Sequence, residues 1–176
     1  MQKYVCTGCY SVYDPLLWDE DSGIEPGTDF DDISEDYRCG VCVAPKEVFL
    51  LLPENIQEAI DPDNLLNKES EHIPRYIEHD GFVYVRLGEG GEDVDFPASE
   101  DHFLTSVWLF DEYGDPIEWK IIDRENPKAW YRFDLPDDGY EVRVGCNLHG
   151  TWKGIWEESL FDELPVFHED GAIEVK

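Results

Sequence analysis

The chain has 176 residues, 41% hydrophobic and 14% aromatic, which is enough to build one or two packed cores and excludes wholesale disorder despite 31% charged residues. Forty-two Asp and Glu against 13 Lys and Arg give a formal net charge of −29, a surface that repels phosphate and speaks against nucleic acid and anionic membrane as partners. No apolar run approaches the ~18 residues of a membrane span, and the opening MQKYVCTGCY lacks a basic stretch followed by an apolar one, so the expectation is a soluble cytoplasmic protein without a secretory signal. The acids are scattered over the whole length rather than gathered in one tail. That favours general solvation in a salt-rich cytoplasm over a single docking patch for a basic partner, and both readings stay open.

Cysteines open the chain-order reading. Cys6 and Cys9 form the first CxxC knuckle and Cys39 and Cys42 the second, with Cys146 alone far downstream. An odd count in paired knuckles, in a chain expected to be cytoplasmic, disfavours a disulfide framework. Four thiolates at this spacing make a tetrahedral cage for zinc or iron, and spacing by itself does not choose between them. The 29 residues between the knuckles exceed the ~15–20 usual for a zinc ribbon.

The sequence around the knuckles is more specific. Tyr4, the step Tyr13-Asp14-Pro15, Gly23-Ile24 followed by Pro26-Gly27-Thr28, then Phe30, Tyr37, Lys46 and Phe49 together resemble rubredoxin across residues 1–49. The resemblance implies that Cys6, Cys9, Cys39 and Cys42 hold one iron that shuttles a single electron. About fifty residues make a small core, so the metal and the aromatics Tyr4, Tyr13, Phe30, Tyr37 and Phe49 are expected to supply its stability. Two departures stand out. Rubredoxins place glycine after the second cysteine of each knuckle, where the turn asks for positive φ, but Tyr10 and Val43 stand here, and Gly40 replaces a proline. A β-branched residue at positive φ is strained, so altered hydrogen bonding to sulfur and a shifted potential are expected, without loss of metal.

Residues 53–70 read as a connector, with a short helix predicted over Asn55 to Ile60 and broken at Asp61-Pro62-Asp63. Beyond it the chain alternates in the manner of strands: Tyr76 to Glu78, Phe82 to Leu87, Phe103 to Phe110, Ile117 to Ile122, Trp130 to Leu135 and Tyr140 to Val144. Turn signals separate them at His79-Asp80-Gly81, Gly88 to Gly91, Tyr113-Gly114-Asp115 and Pro136 to Gly139. The fold class that follows is mainly β, a small metal-knuckle domain and then an antiparallel β-sandwich.

Within that pattern Cys146 and His149 form C-x-x-H, which can present sulfur and imidazole to one metal from a single turn. The run VGCNLHGTWK, the preceding VWLFDEYGD and IDRENPKAWYRFD, the segment Glu71-His72-Ile73-Pro74 and the segment Phe96 to His102 resemble superoxide reductases of the desulfoferrodoxin and neelaredoxin kind over residues 71–153. The resemblance implies an immunoglobulin-like sandwich with a ferrous iron held by four equatorial histidines and an axial thiolate. His72, His102, His149 and Cys146 are present in this chain. The remaining histidine position holds Phe96, the lysine before the first histidine is Glu71, and the glutamate often found before that lysine is Ser70. Asp95, beside Phe96, and then His79 are the candidate substitute ligands. A domain that kept the fold and lost the iron is the alternative, while His79 and His168 otherwise read as structural residues.

The expected organisation is a rubredoxin-like iron domain (1–52), the connector (53–70), a superoxide-reductase-like sandwich (71–153) and a C-terminal extension (154–176). In the extension, Glu157 to Leu164 is predicted as a short amphipathic helix without chemistry, and Trp152 and Trp156 either shield the site or pack in the core. Electrons would pass from a partner reductase through the cysteine cage to the histidine–cysteine iron, where superoxide becomes hydrogen peroxide; Cys146 and His149 carry the catalytic assignment. The oligomeric state is open, a homodimer included. The rival readings are a one-electron carrier whose second domain serves docking, and a metal-poor sensor or scaffold.

Overall fold

The computed structural model describes residues 2–9, 11–15, 23–52, 56–89, 95–123, 125–169 and 171–175. They divide into two compact units, Met1–Glu54 and Asn55–Lys176.

The first unit is a three-stranded antiparallel sheet in which β1 (Lys3–Cys6) lies between β2 (Val12–Tyr13) and β3 (Phe49–Leu52). Two 3-10 turns, Phe30–Asp32 and Lys46–Val48, bring the side chains of Phe30 and Lys46 inward. The core is aromatic. Phe30 stacks on Tyr4 with ring centroids 4.2 Å apart and meets Tyr13 at 5.4 Å and Phe49 at 5.2 Å, and Tyr37 packs on Phe49 at 5.6 Å. Each such pair contributes about 0.5–1.5 kcal/mol beyond its buried area, a large share for so small a domain. The ammonium of the buried Lys46 donates to the Ile33 carbonyl at 2.8 Å and lies 5.4 Å from the Phe30 ring centroid. Val43 has φ of 61°, the left-handed conformation the sequence demanded of a β-branched residue. Its counterpart Tyr10 lies outside the described residues.

In the second unit the predicted strands form, within a residue or two of their expected ends. They are β5 (Arg75–His79), β6 (Phe82–Arg86), β7 (Leu104–Asp111), β8 (Pro116–Ile121), β9 (Trp130–Asp134) and β10 (Tyr140–Cys146). Three short strands join them: β4 (Ile56–Gln57), β11 (Gly150–Lys153) and β12 (Ile155–Trp156). One sheet runs β4-β11-β10-β7-β8 and the other β12-β5-β6-β9. Alternation builds the sandwich. Val83 and Val85, Val107 and Leu109, Tyr131 and Phe133, and Val142 and Val144 point into one shared core, while Trp108 faces away from it and stacks on Trp119 at 5.1 Å. The β5–β6 hairpin closes on Asp80-Gly81, both at positive φ as a two-residue hairpin turn requires. Of the glycine-rich turn expected at Gly88 to Gly91, residues 90 and 91 lie outside the described residues.

One expectation is corrected. Ile56–Gln57 is not helical but pairs in parallel with Thr151–Trp152; the short strand β12 likewise pairs in parallel with β5, and the other pairings of the two sheets are antiparallel, as expected. Six residues ahead of an Asp-Pro break make only a marginal helix without side-chain support of the kind Glu69 gives α1, and the open edge of β11 offers the backbone the partners a helix would have to find within itself. Asn55, the expected helix start, lies outside the described residues. Among the described residues the α-helix that forms is α1 (Asn67–His72), which ends on a predicted ligand. In the extension, Glu158–Glu163 is a 3-10 helix whose Leu160 is wholly buried with Leu164 against Ile77, Tyr84 and Trp130, followed by the hairpin of β13 (Val166–Phe167) and β14 (Ile173–Glu174).

Candidate metal centres

Among the described residues two groups of donors converge, one in each unit: Cys6, Cys9, Cys39 and Cys42, and His72, His102, Cys146 and His149. Within each group all donor atoms lie within 4.8 Å of one another.

The first group is built by turns on adjacent strands. Cys6 ends β1, its N–H donating to the Ser11 carbonyl, and the second knuckle is closed by Val43 N–H donating to the Cys39 carbonyl at 2.9 Å. Sulfurs of Cys6 and Cys42 are 3.5 Å apart, as are those of Cys9 and Cys39. That separation is far too long for a disulfide and close to the roughly 3.8 Å kept by two thiolates sharing one tetrahedral ion. The sulfurs are not equivalent. Burial pushes the Cys6 thiol up to about 12 despite the Gly8 N–H that donates to it. Burial also opposes ionisation of Cys39, but the Ser11 hydroxyl, the backbone N–H groups of Cys42 and Val41, and the Cys9 thiol outweigh it and bring Cys39 down to about 6. Ser11 Oγ stands 3.2 Å from both the Cys9 and the Cys39 sulfur.

The second group draws on three places in the chain. Cys146 ends β10 at a β-bulge, and a three-residue loop returns the chain to Gly150 at φ 80°, which brings His149 Nδ1 to 3.7 Å from the Cys146 sulfur. His102 is held in a turn in which its N–H donates to Ser99 Oγ at 3.0 Å. His72 closes α1, and its Nδ1–H donates to the Lys68 carbonyl at 2.7 Å, which leaves the Nε2 lone pair directed at the group. That Nε2 lies 3.0 Å from His102 Nε2 and 3.0 Å from His149 Nδ1.

Bare imidazole lone pairs this close repel one another unless a proton or a cation is shared. Burial, reinforced by the neighbouring His149 and His102, lowers His72 to about 4 against the opposing pull of the Lys68 carbonyl, and burial with the Lys68 charge lowers His149 as well. His72 and His149 are therefore neutral at pH 7 and suited to a cation. Two nitrogens each about 2.1 Å from one ion and at right angles to each other stand about 3.0 Å apart. Both donor sets are consistent with iron binding.

The remaining predicted positions fall differently. Phe96 is buried in the sandwich core alongside Cys146, Leu104 and Trp152, and Glu71 is exposed on α1. Neither proposed substitute joins the group. Asp95 turns back to accept the Glu89 N–H at 2.8 Å and leaves no room for a Cβ at Gly88, whose φ is 68°. His79 pairs with Asp80 at 3.2 Å and packs on Phe161. His168 pairs with Glu174 at 3.4 Å. Trp152 is buried with its ring 5.0 Å from that of His72, whereas Trp156 is exposed. Three residues that the sequence did not single out hold the group in place. Asn147 ties the Cys146 loop to the His102 turn, its side chain accepting from Phe103 N–H and donating to the Asp101 carbonyl. Gln57 on β4 donates to the His149 carbonyl, and the Lys68 carbonyl orients His72.

Comparison with known proteins bears on each unit. The rubredoxin family model matches residues 3–49. A high molecular weight rubredoxin of Moorella thermoacetica is 51% identical over 47 residues, 27% of this chain and 20% of that protein, and Rubredoxin-2 of Ectopseudomonas oleovorans is 44% identical over 52 residues, 30% of each. The chain thus spans between a fifth and a third of the length of these curated relatives. Among solved structures, the superoxide reductase from Treponema pallidum is 25% identical, with 70% of this chain and 88% of that one covered at a TM-score of 0.40. The single-iron superoxide reductase from Giardia intestinalis is 23% identical, with 48% and 95% covered at 0.39. Residues 3–49 of the first unit are a rubredoxin domain.

Proposed function

We propose that this chain is an oxidoreductase of the superoxide reductase type, in which a rubredoxin centre at Cys6, Cys9, Cys39 and Cys42 relays electrons to a centre held by His72, His102, His149 and Cys146. The division of labour follows the expected boundaries, with 1–52 as carrier, 71–153 as reductase, and 53–70 and 154–176 as connector and cover. The observation that carries the reading is the convergence of three imidazole nitrogens and one cysteine sulfur at a single corner of the sandwich. His72, His102, His149 and Cys146 would hold a ferrous iron whose chemistry would be to supply the one electron by which superoxide, with two protons, becomes hydrogen peroxide. The chain's own part is to prepare the donors. The Lys68 carbonyl fixes the His72 tautomer, Asn147 holds the Cys146 loop against the His102 turn, and Phe96 supplies an apolar wall to the same core. A reductase in the cytoplasm is the partner this scheme requires. Phe96 and Glu71 favour the second reading, a one-electron carrier whose second unit does no chemistry. Superoxide decay followed by stopped-flow absorbance separates the two. The enzyme reading expects decay that depends on the protein and is abolished by Cys146→Ser; decay unchanged by that substitution favours the carrier.

A further inference from the structure

A net charge of −29 repels an anion, and the residue directly before His72 is the exposed acid Glu71. Helix α1 changes what that neighbour means. Successive residues on a helix point about 100° apart, whereas residues four apart share a face. Lys68 and His72 therefore lie one above the other, and Glu71 is turned aside. The Lys68 ammonium stands 5.9 Å from the centroid of the Trp152 ring, and that ring lies 5.0 Å from the His72 ring. Lys3, Lys46, Lys120 and Lys153 each form an ion pair with a carboxylate. Lys68 has no carboxylate within ion-pair distance among the described residues, although the chain carries 42 acids.

We propose that Lys68 supplies the positive potential that draws a small anion to the corner formed by His72, His102, His149 and Cys146. The proposal rests on reading that corner as a metal centre. It gives Lys68 two separable tasks: its main-chain carbonyl orients His72, and its side chain, steadied over Trp152, offsets the surrounding acids at the point of entry. Only the second depends on the side chain, so substitution isolates it.

The test is azide binding to the oxidised, iron-loaded full chain, followed by the absorption that azide adds, with neutral imidazole as the comparison ligand. Lys68→Gln is expected to weaken azide binding about three- to tenfold in dilute buffer, with the difference shrinking toward unity near ~1 M potassium chloride, where the Debye length is about 3 Å. Imidazole binding is expected to be unchanged, and Lys68→Arg is expected to retain azide affinity. Equal azide affinity in wild type and Lys68→Gln at low salt overturns the proposal, as does a parallel loss of azide and imidazole binding, which would mark Lys68 as a structural residue only. Absence of any ligand-dependent absorption in the wild type overturns the metal reading of the corner, and the proposal with it.

Discussion

Ser11 shows how much of a metal centre's character resides outside its ligands. Its hydroxyl lies 3.2 Å from two of the four sulfurs, and it heads the influences that favour ionised Cys39 over the burial that opposes it. Hydrogen bonds to thiolate stabilise the more negative, reduced state of an iron–sulfur centre and so raise its potential. Ser11→Ala is therefore expected to lower the potential of the first centre by roughly tens of millivolts, the effect of about one hydrogen bond, as read by voltammetry on the full chain. The four cysteines of the first group and the Cys146–His149 pair were legible from residue type and spacing, whereas His72 and His102 were reached only through the resemblance to superoxide reductases. Ser11, Lys68 and Asn147 were legible by neither route. A serine, a lysine and an asparagine acquire their roles only from the sulfur, ring or loop the fold sets beside them, and no spacing rule announces that. The substitutes proposed for the missing histidine failed for a related reason. Asp95 is adjacent to Phe96 in sequence, but its carboxylate is committed to the backbone of the turn at Gly88 and Glu89.

At the scale of elements, α1 links local structure to the second centre. It has six residues, too short to persist alone. Glu69 steadies it by reaching back to accept the N–H of Leu66 at 2.8 Å and of Ile60 at 3.1 Å, and the Ile73 N–H closes its end on the Glu69 carbonyl at 2.7 Å. His72 is the last residue of that turn, so its imidazole is placed by contacts several residues away. Glu69→Ala is expected to cost roughly 1–3 kcal/mol of stability in the second unit and to weaken metal binding there, while leaving the absorption of the cysteine centre unchanged. Metal titration of the purified variant checks it. The long strands could be read from the sequence because runs of five to eight residues rich in β-branched and aromatic side chains are bounded by turn signals. Helix α1 and strand β4 could not. A polar six-residue helix has no hydrophobic period to display, and a two-residue strand exists only because the edge of β11 is there to receive it.

For the whole molecule, charge and metal set the terms of stability. With 42 acidic and 13 basic side chains, self-repulsion opposes the compact state, and the ion pairs seen on each unit offset only part of it. The thermal midpoint is expected to rise by several degrees or more between dilute buffer and about 1 M potassium chloride, at roughly 2–4 °C per kcal/mol of relieved repulsion. A midpoint indifferent to salt in calorimetry would mean that the acids are compensated locally and would point to a basic partner. The central claim is that one chain carries two iron centres, the second sustained by three imidazoles and one thiolate although a fourth nitrogen is missing. Iron per chain, measured on anaerobically purified protein, tests it most directly. Two irons are expected in the wild type and one in Cys146→Ser; one iron in the wild type, unchanged by Cys146→Ser, would rule out the second centre.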